Sequence, residues 1–186
     1  YFSNKNCPGG YIWVFPKGNG LANIGLGISG EFARHKAPIE YLRDFIAAHF
    51  PKISPLTTVV GSVPCSPTLD TIITDGLMLV GDAAHQANPV SGGGITSGMI
   101  AAKIAGEVTS AAIYEGNCSK KRLTEYVRRW NKAEGKKHKT FYKLKKFIYN
   151  LTDDDLNHTA KLLLELPMEK RNLVNIFKSA LIKHPA

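Results

Sequence analysis

The chain has 186 residues, a net charge of +9, 44% apolar and 21% charged residues. These values suit a globular protein with its own core and exclude disordered, collagen-like and coiled-coil classes. Its apolar runs are far shorter than the roughly 20 residues of a membrane span, and Cys7, Cys65 and Cys118, widely spaced and without a CxxC pair, argue against a disulfide framework or a zinc site.

Tyr11-Ile12-Trp13-Val14-Phe15 alternates large rings with β-branched residues and reads as a strand that shows Tyr11, Trp13 and Phe15 on one face. Pro16 is expected to end it. Lys17-Gly18-Asn19-Gly20 is turn chemistry, and Leu21 to Ile28 reads as the returning strand of an antiparallel hairpin. Gly25 and Gly27 alternate along that strand, leaving one face bare for close approach by a ligand or another chain. Pro38 to Phe50 has helical apolar spacing, Pro at its start and Pro51 beyond its end. Thr57 to Val63 reads as another strand and Leu69 to Thr74 as a short one before the turn Asp75-Gly76. Leu77-Met78-Leu79-Val80 is the compact apolar run of a buried parallel strand.

A loop over 81–93 leads to a helix expected from Gly94 to Tyr114, with Gly98, Ala101, Ala102, Ala105 and Gly106 as a ridge of small residues. The remainder reads as helical. Leu123, Tyr126, Val127 and Trp130 make one apolar stripe, continued past Gly135 by Phe141, Leu144 and Ile148. Thr152-Asp153-Asp154-Asp155 has the form of a capping box, and a last helix is expected near Glu169 to Lys183. Between Lys120 and Lys146 stand twelve Lys and Arg against two Glu, so this stretch holds the whole positive excess. Such a patch attracts anionic surfaces, whether nucleic acid or lipid headgroups, or serves simply as a solvated face.

The chemistry-bearing segment is Val80-Gly81-Asp82-Ala83-Ala84-His85-Gln86-Ala87-Asn88-Pro89-Val90-Ser91-Gly92-Gly93-Gly94-Ile95. It places an acid at a strand end, then a glycine loop, then a helix N-terminus. A carboxylate there accepts hydrogen bonds from polyol hydroxyls. Glycines let backbone amides approach a ligand, and the helix end favours an anion or a polarised ring.

This segment resembles the second flavin-contacting motif of FAD-dependent enzymes with the p-hydroxybenzoate hydroxylase type of fold. The resemblance implies FAD as cofactor. Asp82 would hold the ribityl chain, and the backbone of Gly93, Gly94 and Ile95 would face the N1 and C2-carbonyl edge of the isoalloxazine ring. Gly81, Pro89 and Gly92 complete the implied cofactor site, and the helix dipole would favour the anionic reduced flavin. The hairpin is similar to the substrate-pocket signature of geranylgeranyl reductases: Tyr11-x-Trp13-x-Phe15-Pro16, eight residues, then Gly25-x-Gly27. The run from Pro8 to Gly18 resembles in particular the archaeal branch that acts on digeranylgeranylglycerophospholipids. Tyr11, Trp13, Phe15, Pro16, Gly25 and Gly27 would then contact an isoprenoid chain. His85 departs toward the Gly-Asp-Ala-Ala-His of aromatic hydroxylases, which leaves a flavin monooxygenase as an alternative. A basic helical binding module that ignores flavin is a second alternative.

No Gly-x-Gly-x-x-Gly fingerprint for the ADP half of FAD occurs, and the chain opens at Tyr1 without Met or a signal-like leader. The expectation is therefore an α+β/α/β fragment from the C-terminal part of such an enzyme, without its N-terminal Rossmann-like unit and inactive alone. Residues 1–68 would belong to an antiparallel substrate domain. Residues 69–115 would supply the strand, loop and helix of an FAD domain, and 116–186 a helical C-terminal region. The implied partners are a geranylgeranylated glycerophospholipid, an anionic membrane surface and an unidentified electron donor, with no nucleic acid and no metal. The implied location is cytoplasmic, peripheral on the inner face of the cell membrane. No catalytic residue or proton donor is identifiable from the sequence; Cys7 and Cys65 are expected to be ordinary thiols, with Cys7 a minor candidate for a place near the flavin.

Overall fold

The computed structural model describes residues 1–171. The chain folds into two compact units, one of Tyr1–Thr57 with the segment from Tyr149 onward, the other Thr58–Ile148. Among the described residues, two small antiparallel sheets and several helices make up the architecture.

In the first unit, β1 (Tyr11–Gly18) and β2 (Leu21–Gly27) form the expected hairpin. Positive φ at both Asn19 and Gly20 gives the type I′ turn whose twist suits a two-residue hairpin. Pro16 does not end the strand as expected. It pairs with Ala22, and the register shifts between Pro16 and Gly18. A two-stranded ribbon has free edges, where proline's missing N–H is no loss, and a bulge absorbs the ring. Ile12 is buried with Cys7 and with Phe45 of α1 (Pro38–His49), and Val14, Ile24, Leu26 and Ile28 pack around them. Cys7 is thus a core residue on the face away from the aromatic rings, and burial raises its thiol pKa. The segment 1–10 meets α5 (Asp153–Glu165): Ser3 Oγ and the Asn4 N–H donate to the Asp153 carboxylate at 3.0 and 2.5 Å. Thr152 caps α5 and forms the expected capping box with Asp155.

The second unit departs from expectation at its strands. Thr57 to Val63 forms no strand, and Val59 and Val60 are exposed. Leu69 to Thr74 shortens to β3 (Ile73–Thr74), and the run Leu77 to Val80 shortens to β4 (Leu77–Met78). These two pair antiparallel across Asp75-Gly76, not in parallel with another strand. Nor is the run buried as expected: Leu77 is 48% exposed, and Met78, Leu79 and Val80 are half-buried. An apolar run does not name its partner, and here the tight turn supplies the nearest one.

Beyond β4 come a 3₁₀ turn (Gly81–Ala84) and the long helix α2 (Ile95–Tyr114), with Gly94 at its N-cap. Its Ala101, Ile104, Val108 and Ala112 are buried against Leu123, Tyr126 and Trp130 of α3 (Lys120–Trp130). The small residues Ala101 and Ala112 allow this close approach. A π-helical turn (Asn131–Gly135) joins α3 to α4 (Lys136–Ile148). Met168–Lys170 is a 3₁₀ turn, and the rest of the helix expected near Glu169 to Lys183 lies outside the described residues.

Candidate functional site

The second unit carries a cleft of ≈ 500 Å³ at the end of β4 and the start of α2, lined by Val63, Gly81, Asp82, Gly92, Gly94, Ile95, Gly98, Met99 and Ala102. Five of the seven residues expected around the flavin stand on this wall. Of the other two, Pro89 is buried beneath the loop and Gly93 is exposed beside it.

Local hydrogen bonds hold the loop in shape. The Asn88 side chain accepts the N–H groups of Val90 and Ser91 at 2.9 and 3.2 Å, an Asx turn. The Asn88 N–H donates to the Gly93 carbonyl at 2.9 Å, and the Gly92 N–H donates to the Asn88 carbonyl at 2.8 Å. The loop therefore closes on itself before α2 starts. No side chain among the described residues caps the start of α2. Its first N–H groups and the positive end of its dipole open at the cleft, a natural anion or polar-ring site.

Asp82 lies beside that helix end. A Cβ at Gly94 would stand 3.1 Å from Asp82 Oδ1, so a side chain at 94 would press on the carboxylate. On the other side, Cys65 and Val63 approach Gly92, at 3.7 and 3.9 Å from where its Cβ would be. The Lys145 ammonium donates to the Cys65 carbonyl at 2.8 Å and ties this segment to α4. Burial raises the Cys65 thiol pKa, with the Lys145 charge opposing. His85 adopts φ 53°, and its Nδ1 lies 2.7 Å from Ser66 Oγ, a loop histidine with a side-chain partner. The spacing of Ile95, Gly98, Met99 and Ala102 along one face of α2 was a readable signal for the far wall. The approach of Val63 from a segment read as a sheet strand was not.

The first unit displays the aromatic residues. Tyr11, Trp13 and Phe15 share the face of the hairpin opposite the core, and Phe2, which sequence reasoning did not single out, extends the row. Successive ring centroids lie 5.9, 5.8 and 6.2 Å apart from Phe2 to Phe15. Phe2 and Phe15 are exposed, at 67% and 59%, so this row is not a sheet core. Cross-strand pairing sets Tyr11 opposite Gly27 and Trp13 opposite Gly25. Trp13 Nε1 donates to the Asn23 side chain at 2.8 Å. Among the described residues nothing stands above Gly27, whereas Gly25 is covered by the Trp13 ring, a correction to the bare face expected at both glycines.

The basic stretch is partly consumed within the unit. Arg122 pairs with Glu115 and Glu125 at 2.6 and 2.7 Å, Arg129 with Glu107, and Lys137 with Glu134 at 2.9 Å. Lys136, Lys139, Lys143 and Lys146 are exposed along one face of α4.

The chain matches the geranylgeranyl reductase catalytic domain over residues 1–63. It is 44% identical to digeranylgeranylglycerophospholipid reductase 1 of Methanococcoides burtonii, over 98% of this chain and 45% of that protein. It is 40% identical to the digeranylgeranylglycerophospholipid reductase of Methanocella arvoryzae, over 100% of this chain and 47% of that one. The crystal structure of a geranylgeranyl bacteriochlorophyll reductase-like protein from Thermoplasma acidophilum superposes with a TM-score of 0.89 at 32% identity, covering 100% of this chain and 47% of that chain. The chain spans about half the length of the relatives it matches.

Proposed function

We propose that this chain is the C-terminal part of an FAD-dependent reductase that saturates double bonds in the geranylgeranyl chains of membrane phospholipids. The observation that carries the reading is the approach of the Asp82 carboxylate to the uncapped N-terminus of α2 across Gly94. That arrangement offers an acceptor for polyol hydroxyls beside N–H donors for a polarised ring, with no side chain between them. The names of the relatives favour a reductase of geranylgeranyl lipids over an aromatic hydroxylase or a flavin-free binding module.

The residues fit FAD. Asp82 would hold the ribityl hydroxyls, and the backbone from Gly92 to Ile95 would lie against the ring edge. Gly81 and Pro89 shape the turns on either side. Bound FAD supplies the hydride. Saturating one C=C bond adds that hydride to one carbon and a proton to the other, and an external donor restores the two electrons. Tyr11, Trp13, Phe15 and Gly27 would lie along the isoprenoid chain; Pro16, next on β1 and on the other face, would bound that row, and Gly25 would act indirectly by seating Trp13. In the whole protein, residues 1–68 would belong to the substrate domain, 69–115 to the FAD domain, and 116–186 to a helical region.

No helix among the described residues is long and apolar enough to cross a membrane. A lipid reductase built this way would meet its substrate from the inner membrane surface, with the exposed lysines of α4 toward anionic headgroups. The test is anaerobic mixing of the reduced whole protein with a geranylgeranylated phospholipid. The flavin is expected to reoxidise as the lipid gains hydrogen. Reoxidation by oxygen alone, with hydroxylation of an aromatic substrate, would overturn the reading. Asp82→Ala is expected to weaken FAD binding about tenfold, the loss of one charged hydrogen bond. Unchanged affinity would remove Asp82 from the flavin site.

A further inference from the structure

Two side chains to which the flavin reading gives no role hold the turn that carries Asp82. Gln86 and Tyr126 are both fully buried. Gln86 Oε1 accepts the Gly81 N–H at 2.7 Å. Gln86 Nε2 donates to the Tyr126 hydroxyl at 2.8 Å, and that hydroxyl donates to the Leu79 carbonyl at 2.9 Å. The backbone N–H of Gln86 also donates to the Gly81 carbonyl at 3.0 Å. The network thus grips the backbone on both sides of Val80, where the chain leaves β4 and enters the Asp82 turn.

Apolar side chains would suffice if this site only needed filling. Burying an amide and a hydroxyl is costly unless both are satisfied. Here each reaches a partner, and two of the partners are main-chain atoms of the turn. The rest of the α2–α3 core (Leu123, Trp130, Val108) is held by packing. Burial raises the Tyr126 phenol pKa, which keeps the hydroxyl protonated and able to donate.

We propose that Tyr126 and Gln86 are positioning residues for Asp82: α3, through this network, sets where the carboxylate stands relative to the start of α2. The inference rests on the reading of Asp82 as a flavin ligand.

The test uses the whole protein and FAD, with affinity measured by flavin fluorescence well below the melting temperature. Tyr126→Phe keeps the ring and removes the hydroxyl. It is expected to weaken FAD binding about three- to tenfold, the loss of a positioned hydrogen bond. Leu123→Ala, one turn earlier on α3 and equally buried, is expected to lower the melting temperature at least as much while changing FAD affinity less than twofold. Because Tyr126 acts through Asp82, adding Tyr126→Phe to Asp82→Ala is expected to cause no further loss, a coupling that general destabilisation does not produce. Affinity within twofold of the parent in Tyr126→Phe, equal weakening by Leu123→Ala, or additive losses in the double variant would each overturn the proposal. If Asp82→Ala weakens FAD and Tyr126→Phe does not, the positioning inference alone fails. If Asp82→Ala has no effect, the flavin assignment of Asp82 fails first.

Discussion

The indole of Trp13 covers the α-carbon of its cross-strand partner Gly25: a methyl group at Gly25 would stand 2.1 Å from Trp13 Cζ2 and 2.3 Å from Cε2. The glycine is there to receive the ring. Two positions along, Gly27 faces Tyr11 with nothing among the described residues within 4 Å of where its Cβ would be. Two glycines equivalent in the sequence pattern therefore do different things, and substitution separates them.

Gly25→Ala is expected to push the Trp13 ring off the strand, break its bond to Asn23 and cost about 1–3 kcal/mol, as overpacking does. Gly27→Ala is expected to leave stability within about 1 kcal/mol, since alanine also reduces the entropy lost on folding. Urea unfolding of both variants measures this. If Gly27 lies along the lipid chain, the same alanine raises the lipid KM. Equal stability losses at 25 and 27 would contradict the packing described here.

Trp13→Ala removes a side chain from the outer face of the hairpin, whereas Ile12→Ala empties the core at a residue 2% exposed. The core change is expected to cost about 2–5 kcal/mol, and the tryptophan change clearly less. Under the proposed function, Trp13→Ala raises the lipid KM or slows turnover while flavin content stays intact. A melt as low as that of Ile12→Ala would make Trp13 structural instead.

His138 is 2% exposed and packs edge-on against Trp130 at 5.3 Å. Its Nδ1 has no hydrogen-bond partner among the described residues. Burial holds the imidazole below its usual pKa of 6.5, with Glu134 opposing. The folded state therefore binds this proton more weakly than the unfolded chain. The corresponding stability is full above pH 6.5 and is lost as the pH falls below it. His138→Leu is expected to flatten that slope between pH 7 and 5. Urea midpoints falling equally in both proteins across that range would show that His138 does not contribute.

Lys136, Lys139, Lys143 and Lys146 on one face of α4 are expected to bind vesicles containing anionic lipid, at about 1 kcal/mol per residue held near the surface. Co-sedimentation is expected to fall steeply with salt and to weaken when the four become glutamine. Equal binding to neutral vesicles would make the lysines a solvated face. Tighter binding to nucleic acid would favour the binding-module alternative.

Much of this protein is written locally. Period-2 alternation over Tyr11 to Phe15 defines a two-faced strand, Asn19-Gly20 a type I′ turn, and Thr152 with Asp155 a capped helix start. Each is decided within a few residues by backbone sterics and one or two hydrogen bonds. The Asp82-to-Ile95 segment was legible for the same reason, because strand end, glycine loop and helix start are consecutive in the chain. Tertiary structure alone decided which partner each element takes. Thr57 to Val63 joins no strand, Trp13 seats itself on Gly25, and Gln86 meets Tyr126 forty residues away. Periodicity states that a face will be buried or a polar group satisfied. It does not state by what, because that depends on chain distant in sequence and close only after folding.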